Sequence, residues 1–161
     1  MKTQNKWFMF IILLISSITV GLSQLKIAAV LGSVAESLGV SVSQAALLMS
    51  LFTVAGIVLA VPGAAIMAKT GSKNLLLALM ASLVLGNVMG VLANSFNVMM
   101  ISRVIEGISY AMIIMVGIDM ISVWFADGGA GTATGIFNTF AAAANFIAMN
   151  ASIPIMHAMG L

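Results

Sequence analysis

Trp7-Phe-Met-Phe-Ile-Ile-Leu-Leu-Ile15 is an unbroken apolar run, preceded by Lys2 and Lys6 and followed by Ser16-Ser-Ile-Thr-Val-Gly-Leu-Ser-Gln-Leu-Lys26. A basic flank ahead of an apolar core is also the plan of a secretory signal, but no small-x-small site with a polar mature start follows it. More apolar sequence follows, so the run reads as a first transmembrane helix. The rest of the chain obeys the same chemistry. Hydrophobic residues make up 62% and charged residues only 6%, whereas a soluble domain carries about 25% charged residues. Six Lys or Arg and four Asp or Glu could not cover a surface in water, and Lys69, Lys73 and Asp127 fall at breaks between apolar runs. The solvent is lipid. A spanning helix needs about 20 residues, so the 161 residues hold about five helices and leave no room for a separate water-soluble domain. The sequence therefore predicts an all-α, polytopic membrane helix bundle.

Working outward, the predicted helices cover about 7–35, 45–67, 75–92, 98–125 and 132–156. Gly39 is placed to cap the end of the first helix in a left-handed conformation. Ser41-Val-Ser-Gln44 reads as a capping box opening the second. Pro62 predicts a kink in that helix. Lys69-Thr-Gly-Ser-Lys-Asn74, Ala93-Asn-Ser-Phe-Asn97 and Ala126-Asp-Gly-Gly-Ala-Gly131 are the remaining turns. Lys2, Lys6, Lys69 and Lys73 all lie on the N-terminal side, and the opposite loops near Glu36 and Asn94 carry no basic residue. The positive-inside rule then places the N-terminus and the Lys69–Lys73 turn in the cytoplasm of a plasma-membrane protein. Gly86 and Gly90 form a GxxxG pair that lets a second helix approach closely.

Several function classes are poorly served. There is no cysteine, so no disulfide or thiol nucleophile is available. No nucleophile–base set appears, which argues against an enzyme. The net charge of +2 gives no footprint for nucleic acid. Gly129-Ala-Gly-Thr-Ala-Thr-Gly135 lacks the preceding strand and βαβ unit of a dinucleotide loop, and Met156-His-Ala-Met159 is a single short soft-ligand cluster at a chain end. No cofactor and no metal is expected; the partners expected are the bilayer and a small solute.

Ionisable groups at membrane depth are costly, so those present are functional candidates. Ser16, Thr19, Ser23 and Lys26 fall within a sector of roughly 80° on helix one. They form a polar stripe facing either a bundle interior or a water-filled cavity, unless Lys26 snorkels outward. Arg103 and Glu106 lie roughly 60° apart on helix four, with Gly107 and Tyr110 on the same face. Two readings stand: a local ion pair, or a protonatable, solute-responsive carboxyl biased by Arg103. Asp119 points roughly 160° away from Arg103, which suits a salt bridge to the Lys69/Lys73 turn. On helix five, Thr134, Asn138, Asn145 and Ser152 share a sector of roughly 40°. They suit a hydrated pathway or an interhelical clasp equally well.

Taken in order, these segments resemble the major facilitator superfamily over nearly the whole chain. Pro62-Gly-Ala-Ala-Ile-Met-Ala-Lys-Thr-Gly-Ser-Lys73 is similar to that family's cytoplasmic helix 2–3 signature, with Lys69, Gly71 and Lys73 at its basic, glycine and basic positions. Ala68 and Ala64 stand where the signature has Asp and its first Gly. Asp119 matches the helix-four acid that partners this turn. Ile101-Ser-Arg-Val-Ile-Glu-Gly-Ile-Ser109 resembles the helix-four signature R-x-x-x-G through Arg103 and Gly107. The resemblance implies a secondary transporter of a small solute, proton-coupled in many members through that Arg, with Lys26, Arg103, Glu106, Asn138 and Asn145 along the substrate or proton pathway. It also implies twelve helices in two halves, so the chain is expected to be a truncated N-terminal portion that needs a C-terminal half to transport. The competing expectation is a small membrane subunit or regulator acting through helix–helix contact.

Overall fold

The computed structural model describes residues 5–159, excluding the side chains at 29, 56, 59–61 and 152–159. Lys2 of the orientation argument, and the side chains of Ser152 and the Met156–Met159 cluster, lie outside that description. Among the described residues seven helices follow one another: α1 (Lys6–Ala29), α2 (Leu31–Ser37), α3 (Val42–Thr70), α4 (Ser72–Val91), α5 (Phe96–Trp124), α6 (Ala130–Phe137) and α7 (Phe140–Met159). No strand occurs among the described residues. Lys6–Ala28, α4 and α5 are each long and apolar enough to cross a bilayer, and a bent pair, Leu31–Ser37 with Val42–Ala55 at 113°, would make a fourth span. The chain is an all-α membrane helix bundle.

Two predicted helices turn out to be broken. The run expected at about 7–35 stops at Val30, whose backbone (φ −124°, ψ 23°) leaves the helix and whose N–H closes a tight turn onto the Ile27 carbonyl. That break releases α2 to fold against the start of α3. Gly39 adopts the left-handed φ of 63° expected of it, and the capping box forms: Ser41 Oγ accepts from Gln44 N–H while Gln44 Oε1 accepts from Ser41 N–H. The helix expected at about 132–156 is likewise divided at Asn138–Thr139, where the Thr139 N–H and hydroxyl both turn back onto the Ile136 carbonyl. The division brings Phe137 and Phe140 side by side, their ring centroids 5.4 Å apart. Both rings are buried. α3, by contrast, continues through Pro62 without interruption.

The helix α5 is the hub. It packs against α1, α3, α4 and α6, and its buried face runs from Ser102 through Ile121. Small residues make this possible. A Cβ on Gly107 would sit 2.4 Å from the Phe52 carbonyl oxygen of α3, and one on Gly117 would sit 2.2 Å from the Phe137 ring. α4 turns a narrow stripe of Leu75, Leu79, Leu83 and Gly86 toward α5, while Leu77, Val84, Leu85 and Val88 stay exposed. In lipid such exposure costs nothing, because acyl chains are as apolar as leucine.

Candidate functional site

Three helices bring their polar residues to one point, toward the end of the bundle at which α5 begins. Glu106 is fully buried on α5, ten residues inside its start, or about 15 Å along the axis at ~1.5 Å per residue. It is reached from both sides. Arg103 Nη2 straddles the carboxylate at 2.9 Å from Oε1 and 2.8 Å from Oε2. Lys26 Nζ of α1 donates to Oε1 at 3.0 Å. The inward orientation of Lys26 thus prevails over snorkelling.

Around this ionic core lies a ring of neutral partners. Arg103 Nη1 donates to the Ser23 carbonyl at 3.0 Å, joining α5 to α1. Asn87 of α4 accepts from Lys26 Nζ at 2.5 Å through Oδ1, while its Nδ2 donates to Ser23 Oγ at 3.1 Å and to the Leu83 carbonyl at 2.7 Å. The amide fits because it has acceptor and donors on one plane. The GxxxG pair creates the necessary space: a Cβ on Gly86 would lie 2.5 Å from Glu106 Cγ, and Gly90 faces Ser102 Oγ and Glu106 Oε1. Two hydroxyl clasps hold α4 and α5 together nearby, Ser109 to the Leu79 carbonyl and Ser82 to the Ile105 carbonyl.

The electrostatics follow from a count. Two cations meet one carboxylate, leaving the cluster with one surplus positive charge if all three groups are ionised. Arg103 is 1% exposed, while the Lys26 side chain remains 37% exposed. Two buried atoms, Arg103 Nε and Glu106 Oε2, have no hydrogen-bond partner; Oε2 is near Nη2 in distance only. Buried polar atoms without partners are uncommon and call for an explanation. Beside Lys26 opens a cavity of about 560 Å³, lined among others by Thr19, Ser23, Lys26, Val84, Asn87 and Ala151. Its walls belong to α1, α4 and α7.

Other residues singled out in the sequence lie elsewhere. Ser16 and Thr19 donate to carbonyls of their own helix, Ile12 and Ile15, so of that stripe Ser23 and Lys26 enter the network. Asn138, at the end of α6, and Asn145, on α7, are exposed, and neither is among the hydrogen-bond partners of Arg103 or Glu106 in the described residues. Gly107 makes the α3–α5 crossing. At the opposite end of the bundle Gly71 takes a φ of 76°, and Lys69 and Lys73 are exposed. The salt bridge expected from Asp119 to those lysines is absent among the described residues, where both ion pairs converge on Glu106. Asp119 instead accepts a hydrogen bond from the Ser72 hydroxyl; Ser72 sits closer to α5 than the longer lysines, which reach water. Asn87 and Ser72 escaped the sequence reading. For Asn87 a signal existed, an amide embedded in an apolar span next to Gly86.

The family model of the Major Facilitator Superfamily matches residues 9–158. No curated protein and no solved structure matches the chain.

Proposed function

Because the chain belongs to the major facilitator superfamily, a family of secondary transporters of small solutes, we propose that it moves a small solute through a pathway whose charged part is Lys26, Arg103 and Glu106. Proton movement is coupled at Glu106. The observation that carries this reading is the buried carboxylate held between two cations with Oε2 short of a hydrogen-bond partner. A proton arriving there would release Arg103 and Lys26 to other partners, and a solute anion would do the same by competition. Ionisable side chains inside spans mark such relays.

Orientation belongs to the same proposal. Lys6, Lys69 and Lys73 share one end of the bundle, supporting a plasma-membrane protein with a cytoplasmic N-terminus. The exposed amides Asn138 and Asn145, and the exposed apolar faces, suit contact with a C-terminal half, as the two-halved architecture of the family requires. The solute would then pass between the halves.

The test is uptake into proteoliposomes holding an internal pH indicator, with a panel of small anions and neutral solutes presented outside under an imposed proton gradient. Arg103→Ala is expected to abolish uptake while the amount of inserted protein is unchanged. Glu106→Gln is expected to uncouple solute uptake from acidification. Normal uptake by the Arg103 variant would remove the proposed site, and unchanged acidification by the Glu106 variant would remove the proton from it.

A further inference from the structure

Lys26 is held from two sides by groups of different chemistry. Glu106 Oε1 accepts from Lys26 Nζ at 3.0 Å and from Arg103 Nη2 at 2.9 Å, so one oxygen serves both basic side chains. A proton on Oε2, which has no hydrogen-bond partner, would take the negative charge out of both bonds at once. Each basic side chain also has an acceptor that cannot take up that proton. For Arg103 it is the Ser23 carbonyl. For Lys26 it is the side-chain oxygen of Asn87.

The setting of Asn87 suits that duty. Its Nδ2 donates to the Leu83 carbonyl, one turn earlier on α4, and to Ser23 Oγ of α1. Those two bonds fix the carboxamide plane and leave Oδ1, its acceptor, aimed at Lys26. An amine and an ammonium both present an N–H to that oxygen, so the bond does not depend on the charge of Lys26. Without it Lys26 has another place to go. It lies three residues before Ala29, the last residue of α1, or about 4.5 Å at ~1.5 Å per residue. Its side chain is 37% exposed. A long basic side chain so placed snorkels toward the membrane surface once nothing holds it.

We propose that Asn87 is a positioning residue that keeps Lys26 in the solute pathway while Glu106 carries a proton. Glu106 then changes its charge without the pathway losing its amino group. The Ser23–Asn87 pair, one residue on α1 and the other on α4, is the frame that persists through the change. The place of this device in transport rests on the transport reading; the retention of Lys26 by Asn87 is a distance, measured with no solute present.

The experiment uses the whole protein in phosphatidylcholine vesicles, with isotope labels at lysine Nζ and asparagine Cγ and solid-state NMR dipolar recoupling between them. Lys26 Nζ lies 2.5 Å from Asn87 Oδ1. The labelled atoms are then at most about 3.7 Å apart across a ~1.23 Å C=O bond, and doubling that separation would weaken their coupling about eightfold by its inverse-cube dependence. Lys26→Met supplies the background from Asn5–Lys6 and Lys73–Asn74, which are adjacent in sequence. Coupling above background is expected in the native protein and, undiminished, in Glu106→Gln, whose neutral side chain stands for the protonated carboxyl. A second labelling, at glutamate Cδ, reads the protonation of Glu106 and its contact with Lys26 together. On acidification the native protein is expected to keep that contact after the Glu106 signal has moved to its protonated position, and Asn87→Leu is expected to lose it about eightfold. Circular dichroism and gel filtration confirm that each variant is folded. Absence of the Lys26–Asn87 coupling in the native protein, or its loss in Glu106→Gln, would overturn the proposal. Lys26 held on protonated Glu106 as closely in Asn87→Leu as in the native protein would overturn it too. Failure of uptake in proteoliposomes would remove the transport reading and leave these distances as they are.

Discussion

Replacing Glu106 by Gln keeps the side chain's shape and deletes its charge, which isolates charge balance as the variable. In the native cluster Arg103 and Lys26 share that one carboxylate, at 2.8 Å and 3.0 Å. After Glu106→Gln both cations stay where they are, Arg103 at 1% exposure, with no counter-ion. Breaking a buried ion pair by removing one partner costs about 3–5 kcal/mol. Lys26→Met removes a cation instead and leaves Arg103 with Glu106 in a balanced pair. It loses two hydrogen bonds from a partly exposed group, for which measured values between membrane helices suggest about 1 kcal/mol. The double variant strands one cation rather than two, so its loss should fall short of the sum of the singles by about 1–3 kcal/mol. The assay is unfolding in mixed detergent micelles by dodecyl sulfate titration, followed by tryptophan fluorescence. Trp7 is well placed, because its ring lies 4.9 Å from the Phe125 ring at the end of α5 and reports separation of α1 from the hub. If Lys26→Met proves as costly as Glu106→Gln, or if the two losses add, the reasoning from charge balance is wrong.

Helix approach and the turn between α3 and α4 give two further expectations. Gly107→Ala puts a Cβ 2.4 Å from the Phe52 carbonyl oxygen, where backbone must move, whereas a Cβ on Gly131 meets nothing within 4 Å. The first should lose about 1–3 kcal/mol and the second should be neutral or gain up to about 1 kcal/mol; equal stabilities in the same titration would refute the close α3–α5 crossing. Ser72→Ala should cost about 1 kcal/mol by leaving Asp119 short of its donor. A double-mutant cycle with Asp119→Asn should be non-additive, and additivity would mean that the hydroxyl contact contributes nothing.

What the sequence made legible is what depends on local chemistry. Lipid as solvent, the helical class and the Gly39 and Ser41 caps follow from residue type and periodicity, and Lys26, Arg103 and Glu106 stand out separately through the cost of a charge in hydrocarbon; that Lys26 reaches Glu106 across helices is a tertiary fact. The breaks at Val30 and at Asn138–Thr139 were hidden because their cause is tertiary. Phe137 needs the slot that Gly117 leaves on another helix, and Val30 turns so that α2 can meet α3. Asn87 was hidden for a related reason. Its value lies in partners on α1, 61 and 64 residues away, and a single amide shows no periodicity. Asp119 faces the turn between α3 and α4, where it accepts from the Ser72 hydroxyl. A charge argument favours lysine, while reach and exposure favour the short hydroxyl of Ser72.

The joining of α1 to α5 has a consequence for biogenesis. Lys26 is separated from its counter-ion by 80 residues of chain, which a ribosome needs about 4–16 s to add at ~5–20 residues per second. Until then Lys26 lacks the carboxylate that pairs with it in the folded bundle, and an unneutralised ammonium opposes release of its helix into lipid. Completion of α5 ends the wait. The lateral escape of the first span is therefore expected to be coupled to the arrival of a much later one, the hub helix that carries its counter-ion.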